Sequence, residues 1–307
     1  MDSLPLKGKK AFDLLQGQFT CDVKEVTAQQ SRLGAHCDQK GRIQSTFRLF
    51  QFHDIYYMQL PISLSQHALQ QLKKYSHLFR ITPKDVSGDF KIIGLNGSEI
   101  ETVLTELNIP IPQTIDSACT FQDHLIIRVP GNSLPRFMIY GDPSSIDQLL
   151  LKMNQHSLLT KADDSAWKLL DISAGLAAIY PQTIGEFTPH HLNYPALNAV
   201  NFKKGCYIGQ EIVARMQYLG KLKQHLQCGV FNESATAEPG TKLYNNEGQE
   251  VGTIIDVATD IENNQHVVLA VIADNALDKP LYIGIPNGSV VTLIENSTLP
   301  LELIRLK

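Results

Sequence analysis

Between Ser65 and Arg80 the apolar residues Ala68, Leu69, Leu72, Tyr75, Leu78 and Phe79 return to one side of a helical wheel, with Lys73 and Lys74 elsewhere. That spacing predicts an amphipathic helix. A shorter helix is predicted over Lys10 to Leu15, and Gly17 supplies its stop before a strand-like Phe19 to Val23. The period then falls to two. Arg42, Gln44, Thr46 and Arg48 alternate with Ile43, Phe47 and Leu49, and the run Ile55 to Leu60 follows a turn at His53 and Asp54. Two strands of a half-buried sheet are expected over residues 42 to 60.

A second pattern begins near Phe90. KIIGL reads as a strand, and Ser98 with Glu101 forms a capping-box pattern ahead of Ile100, Val103, Leu104 and Leu107. Pro110 and Pro112 end that helix. Strands follow at Leu125 to Val129 and Arg136 to Tyr140, and Pro143 opens a helix carrying Ile146, Leu149, Leu150 and Met153. The order strand, helix, strand, strand, helix is most of a ferredoxin-like unit. Trp167 to Ile172 reads either as its last strand or as a helix capped by Asp164 and stopped at Gly175, and periodicity does not choose. After Gln227 short β-rich runs alternate with the turn sequences Pro239-Gly240, Asn245-Asn246, Asn263-Asn264 and Asn287-Gly288. These predict a small C-terminal β-barrel or sandwich, reached through FNESATAEPG.

Composition narrows the function classes. A chain of 307 residues suggests two or three domains. Its formal charge of −4 gives no broad positive field for non-specific nucleic-acid binding, although a local basic patch is compatible with it. Five cysteines, none at the two-residue spacing of zinc sites and redox dithiols, fit free thiols in a reducing compartment. The N-terminus has no signal-peptide core and no apolar run approaches the ~18 residues of a membrane span, so a cytoplasmic location with no membrane contact is expected.

The chemistry concentrates in Asn201 to His225, NFKKGCYIGQEIVARMQYLGKLKQH, where Lys203, Lys204, Arg215, Lys221 and Lys223 face one acid, Glu211. Such a run is either a solvated face or an anion site. Gly205 and Gly209 bracket Cys206 and would let a ligand approach main-chain N–H groups, toward which the helix-like stretch after Gly209 turns its positive end. Cys206 reads as a nucleophile, a redox-sensitive thiol or a transient metal ligand, or as a small buried residue of a glycine-flanked turn. His190 and His191 are adjacent and read as loop residues, and His36-Cys37-Asp38 lacks a second group of ligands, so no metal site is expected.

The stretch Lys204 to Glu211 followed by Val213-Ala214-Arg215 resembles the signature K-G-C-[FY]-x-G-Q-E-x-V-A-R of the YgfZ branch of the T-protein-like, folate-binding superfamily. LLQGQFTCDV from Leu14 to Val23, KGRI from Lys40 to Ile43, and Phe187-Thr188-Pro189 also resemble family segments. The resemblance implies an α+β chain in three parts: a discontinuous folate-binding domain over 1–89 and 160–226, a ferredoxin-like domain over 90–159, and a C-terminal barrel over 227–307. It implies tetrahydrofolate or a derivative as ligand, and support of iron–sulfur cluster assembly or repair, hence of tRNA modification. Iron–sulfur enzymes or assembly factors would be the partners, with direct RNA contact left open. The implied site takes Cys206 as a working thiol, Lys203, Lys204 and Arg215 as anion holders, and Gly205, Tyr207, Gly209, Gln210 and Glu211 from the motif itself.

Two departures follow from the same comparison. The aminomethyltransferase relatives carry an aspartate where this chain has Gln44, Ser45 and Thr46, and no carboxylate stands between Gln39 and His53. Proton transfer from such a group is generally worth about 10²-fold or more, so glycine cleavage is not expected. The superfamily's R-L-E-A-G is Asp171-Ile172-Ser173-Ala174-Gly175 here, so Ser173 replaces the glutamate for the pterin edge, and Asp171 or Glu186 would have to supply a carboxylate. The rival readings are a folate-dependent one-carbon transferase and a non-catalytic module that docks a partner or RNA.

Overall fold

The computed structural model describes residues 6–131, 133–232 and 235–294. The chain ends and the middle of FNESATAEPG lie outside the described residues. The first unit contains β1 (Leu6–Lys7), α1 (Gly8–Gln16), β2 (Arg32–Cys37), β3 (Ile43–Phe52), β4 (Ile55–Gln59) and α2 (Ser65–Ser76), with an antiparallel sheet ordered β1-β4-β3-β2. His53 and Asp54 both take positive φ, at 49° and 60°, as a two-residue hairpin turn requires. The sheet is buried on both faces, not one. Phe47 and Leu49 join the core beneath α1 and α2, whereas Phe50 and Phe52 pack on the next unit. Two polar positions of the alternation are therefore also buried: Thr46 accepts from the Ile179 N–H, and Arg48 pairs with Asp116 and donates to Ser31 Oγ, while Arg42 is exposed and Gln44 half-buried.

Three local expectations are corrected. Phe19 to Val23 is not a strand; Phe19 makes a single bridge to His36, and the segment is held by Thr20, whose N–H and hydroxyl reach Ala35 and Ala199. Ser98 and Glu101 form no capping box, because Glu99 occupies the cap position and Glu101 pairs with Arg128 at 2.7 Å. Leu78 is 68% exposed, because α2 ends at Ser76 and a tighter 3₁₀ turn rotates Leu78 off the buried face.

The second unit is ferredoxin-like: β5 (Lys91–Asn96), α3 (Ile100–Glu106), β6 (Ala118–Phe121), β7 (His124–Val129), β8 (Arg136–Gly141) and α4 (Pro143–Met153), with antiparallel order β5-β8-β7-β6. One sheet face, with Ile126, Phe137 and Ile139, packs under Val103 and Leu104 of α3 and Ile146 and Leu149 of α4. The other, with Leu125, Ile127 and Tyr140, meets Phe50 and Tyr57 of the first sheet. The fourth strand is β6, so Trp167 to Ile172 is free to be helix α5 (Asp164–Ser173). Its cap is Asp163, one residue earlier than expected, whose Oδ1 accepts from the Ala166 N–H, and Gly175 ends it at φ +69°.

α6 (Gln210–Leu219) leads into the third unit, a closed barrel of β9 (Gln224–Asn232), β10 (Lys242–Tyr244), β11 (Glu250–Asp260), β12 (Gln265–Ala273), β13 (Leu281–Ile283) and β14 (Val290–Ile294). The order is β10-β11-β12-β9-β14-β13, a barrel and not a sandwich. Its inner core holds Leu243, Ile254, Val268, Ala270 and Ile272. Ile255, Val267, Leu269 and Val271 face outward and join the first unit's core, which is why the sequence VVLAVIA shows no polar alternation. α5 lies against β11, where Lys168 Nζ and the Tyr180 hydroxyl hold the buried Asp256 carboxylate at 2.9 and 3.0 Å.

Candidate functional site

The loop before α6 is shaped by Asn201, whose Oδ1 accepts the N–H groups of Lys203 and Lys204 at 2.8 and 2.9 Å. This turn separates the two lysines. Lys203 is exposed, while the Lys204 ammonium turns inward, donates to the carbonyls of Phe19 and Cys21 at 2.7 Å each, and sits 5.1 Å from the Tyr207 ring centroid. Burial draws its pKa down to about 8. Lys204 therefore satisfies main-chain carbonyls that no strand neighbour reaches, and ties LLQGQFTCDV to KGCYIGQE. The Tyr207 ring is buried and its hydroxyl has no partner, so burial raises its pKa. Gln210 Oε1 accepts the Tyr207 N–H at 3.3 Å, and Glu211 and Arg215 are exposed on α6.

The two motif glycines differ. A Cβ on Gly205 would meet nothing within 4 Å, whereas Gly209, at φ +82°, would place one 2.4 Å from the Asp38 carbonyl and 3.0 Å from Gly41 Cα. Gly209 is the point where the KGRI turn and the start of α6 touch backbone to backbone. Gly209→Ala is expected to cost about 2 kcal/mol or more, combining a left-handed φ with a main-chain clash, while Gly205→Ala stays within about 0.5 kcal/mol. Urea midpoints of the two variants check this, and equal midpoints would contradict the assignment.

Cys206 is exposed, whereas Cys21, Cys37 and Cys228 are buried and Cys119 is half-buried. Burial pushes the Cys21 thiol up to about 12 and Cys228 up to about 11, and raises Cys37 and Cys119 as well. The accessible thiol is thus the one in the motif. With a brief alkylating pulse at neutral pH, Cys206 should carry most of the label read by mass spectrometry, and comparable labelling of Cys21 or Cys37 would overturn that order.

A cavity of ≈ 250 Å³ opens where the end of α5, β9 and the second unit meet, lined in part by Ile172, Ser173, Gly175, Asn193, Gln227 and Cys228. The Ser173 hydroxyl is buried there without a partner. Neither expected carboxylate lines this cavity. Asp171 pairs with Arg136 at 2.7 Å, its pKa raised because burial outweighs the neighbouring guanidinium, and Glu186 lies 3.4 Å from Lys242. Sequence reasoning missed Asn193 and Gln227. Asn193 had a local signal, an asparagine after the apolar Leu192, and it takes the left-handed φ of 55° that closes the turn; Gln227 had none.

His190 and His191 lie in a 3₁₀ turn and not in a loop. His191 Nδ1 receives the Thr188 N–H at 3.2 Å, and His190 Nε2 lies 3.2 Å from Gln217 Oε1 on α6. His36 is buried against the Phe19 ring, with its pKa lowered to about 4. Among the described residues no three His, Cys, Asp or Glu side chains are gathered for a metal ion, and no helix is long and apolar enough to cross a membrane.

Three units, the first sharing one core with the barrel and another with the ferredoxin-like unit, with the cavity at their junction, define a protein of the T-protein-like fold. The crystal structure of glycine cleavage system aminomethyltransferase T from Bartonella henselae superposes with a TM-score of 0.76 over 96% of this chain and 82% of that one, at 15% identity. No protein-family model matches the sequence. The tRNA-modifying protein YgfZ of Colwellia psychrerythraea is 30% identical over 304 residues, covering 98% of this chain and 91% of that protein. The same-named protein of Yersinia pseudotuberculosis is 34% identical over 240 residues, covering 78% of this chain and 71% of its own length. The chain belongs to the YgfZ family.

Proposed function

We propose that the protein is a folate-binding accessory protein in tRNA modification, acting through the assembly or repair of iron–sulfur clusters in partner enzymes. The observation that carries the folate part is the junction cavity with its buried, unpartnered Ser173 hydroxyl. Its volume suits a bicyclic pterin and is below the about 300–1,000 Å³ of sites for whole drug-sized ligands. Ser173, the Gln227 amide and the Ala174 carbonyl offer hydrogen bonds to a pterin edge, without the bidentate carboxylate of the transferase pattern. Tetrahydrofolate, or a derivative, would supply one-carbon or redox chemistry when bound. This chain's own residues orient the ring and exclude water from it.

Lys203 and Arg215, both exposed, are the groups proposed for the glutamate tail, and Cys206 is the working thiol beside them in the chain. The relatives' name supplies the tRNA part of the reading, and the family resemblance supplies the cluster part. Gln44, Ser45 and Thr46 place no carboxylate at the transferase position, so glycine-cleavage turnover is not expected.

Calorimetric titration with tetrahydrofolate tests the cavity. Ser173→Leu, which fills it, should abolish measurable heat, and Ser173→Ala should weaken binding by about tenfold, the equivalent of one hydrogen bond. Wild-type affinity in Ser173→Leu would exclude the cavity. In a strain lacking the protein, modified-nucleoside content of tRNA and iron–sulfur enzyme activity should recover with the wild type and not with Cys206→Ser. Full rescue by the serine variant would remove the thiol from the reading.

A further inference from the structure

The outer face of α6 combines exposed apolar side chains with exposed cations. Ile212, Tyr218 and Leu219 are 39%, 68% and 83% exposed, although Val213 on the inner face is buried. Tyr218 is braced edge-on by Phe202 with ring centroids 6.0 Å apart, and Phe202 is itself 6.1 Å from the His190 ring. Around this strip stand five exposed cations, Lys40, Lys203, Arg215, Lys221 and Lys223, none of which forms an ion pair among the described residues. Acids lie nearby too, most of them engaged: Asp38 by the N–H groups of Lys40 and Arg42, Asp274 beside Lys223 by His225, and Glu25 near Asn201 by Arg32, while Glu211 is exposed in the first turn of α6.

Helix stability does not explain this distribution. Lys221 and Lys223 follow the negative end of α6, where cations are favoured, but Lys40 adjoins Gly41, which contacts Ile212 and Val213 at the positive end, where cations are disfavoured. Cations at both ends and in the middle of a helix about 15 Å long match a chain of regularly spaced negative charges. A braced, exposed aromatic ring among them is a platform on which a base can stack, and this combination is how proteins hold single-stranded nucleic acid with little sequence preference. Gly220, where a Cβ would lie 2.7 Å from the Met216 carbonyl, and the Asp274 N–H to Lys223 carbonyl bond at 3.0 Å fix the exit of the ridge onto the barrel. The platform is therefore preformed.

We infer that the α6 ridge is a docking surface for a single-stranded RNA segment, with Tyr218 stacking on a base and Lys40, Lys203, Arg215, Lys221 and Lys223 contacting phosphates. This goes beyond the folate reading and does not rest on it: Lys203 and Arg215 would serve either a glutamate tail or a phosphate, but Tyr218, Lys221 and Lys223, the residues tested, have no part in the folate reading. The probe is a fluorescein-labelled single-stranded RNA of about 12 nucleotides, within the about 4–16 of known single-strand sites, followed by anisotropy at several salt concentrations. With four or five phosphate contacts, log K should fall against log salt with a slope of about −3. Lys221→Ala with Lys223→Ala should flatten that slope by about one unit. Tyr218→Ala should weaken binding about tenfold with the slope unchanged, and Tyr218→Phe should bind as the wild type does. Thermal melting and tetrahydrofolate titration of each variant should match the wild type. No anisotropy change with the wild-type protein at low salt, or equal binding by the alanine variants, overturns the proposal and leaves the ridge to an acidic protein surface.

Discussion

Arg136→Met should lower stability by about 3 kcal/mol, the low end of the range for stranding one member of a buried ion pair. Arg136 is 1% exposed; it donates to the carbonyls of Pro130 and Leu170, pairs with Asp171 at 2.7 Å, and its guanidinium lies 4.2 Å from the Trp167 ring centroid. Methionine fills the volume but leaves the Asp171 carboxylate and the Pro130 carbonyl without the guanidinium, while the Leu170 carbonyl keeps the Ala174 N–H at 3.0 Å. Arg48 also favours the charged form of Asp171, so the carboxylate is not wholly uncompensated. That is why the lower figure is chosen. Asp171 already has a raised pKa, so its contribution is most favourable below the usual carboxylate value and diminishes as pH rises through the folded one. Without Arg136 the pKa rises further, and the gap between variant and wild type should shrink as pH falls from 7 toward 5. Urea denaturation at both pH values measures it. A gap that grows on acidification would mean that Asp171 is not the stranded group.

Acidification should also destabilise the wild type through His36 and His191, whose pKa values are both lowered to about 4. Burial is the main cause for each, reinforced at His36 by His67 and Lys74 and at His191 by Arg42, His190 and His225. Between about pH 6.5 and 4 the unfolded chain binds protons that the folded chain refuses, so this stability is complete above pH 6.5 and disappears as pH falls through the folded values. For the fully buried His36 the loss is about 3 kcal/mol; for the less enclosed His191 it is smaller. His36→Phe keeps a ring against Phe19 and removes the titration, and should flatten the acid limb of a stability-against-pH curve by about half or more. An unchanged limb would acquit His36. Each histidine is a neutral packing or capping group.

Which parts of this were readable in advance depended on whether the cause was local. α1, α2, α4 and the β3–β4 hairpin follow from spacing, capping and turn chemistry within a few residues, and the motif glycines, lysines and cysteine stand in the sequence for anyone to read. β2 was missed because Gly34 and His36 spoil its alternation. Both are buried for tertiary reasons: a Cβ at Gly34 would lie 2.8 Å from the Phe47 ring, and His36 packs on Phe19. Trp167 to Ile172 is a helix because β6 fills the fourth strand of the second sheet, and Gly94 leaves room for the Trp167 ring packed on that sheet, where a Cβ would be 2.3 Å away.

The amino-acid sequence by itself determined the family resemblance, the helical and strand periods, the barrel-forming tail and the concentration of charge and thiol between Asn201 and His225. Only the tertiary structure decided what each of those groups does. Lys203 and Lys204 are neighbours in the chain, yet one faces solvent and the other is spent on two carbonyls 183 and 185 residues away. Gly205 and Gly209 look alike, yet only Gly209 is pressed against another backbone. Asp171, a candidate for the pterin, is held by an arginine from the second unit. The physical reason is the same throughout: a side chain's role depends on which partners desolvate it and complete its hydrogen bonds, and those partners come from segments distant in sequence.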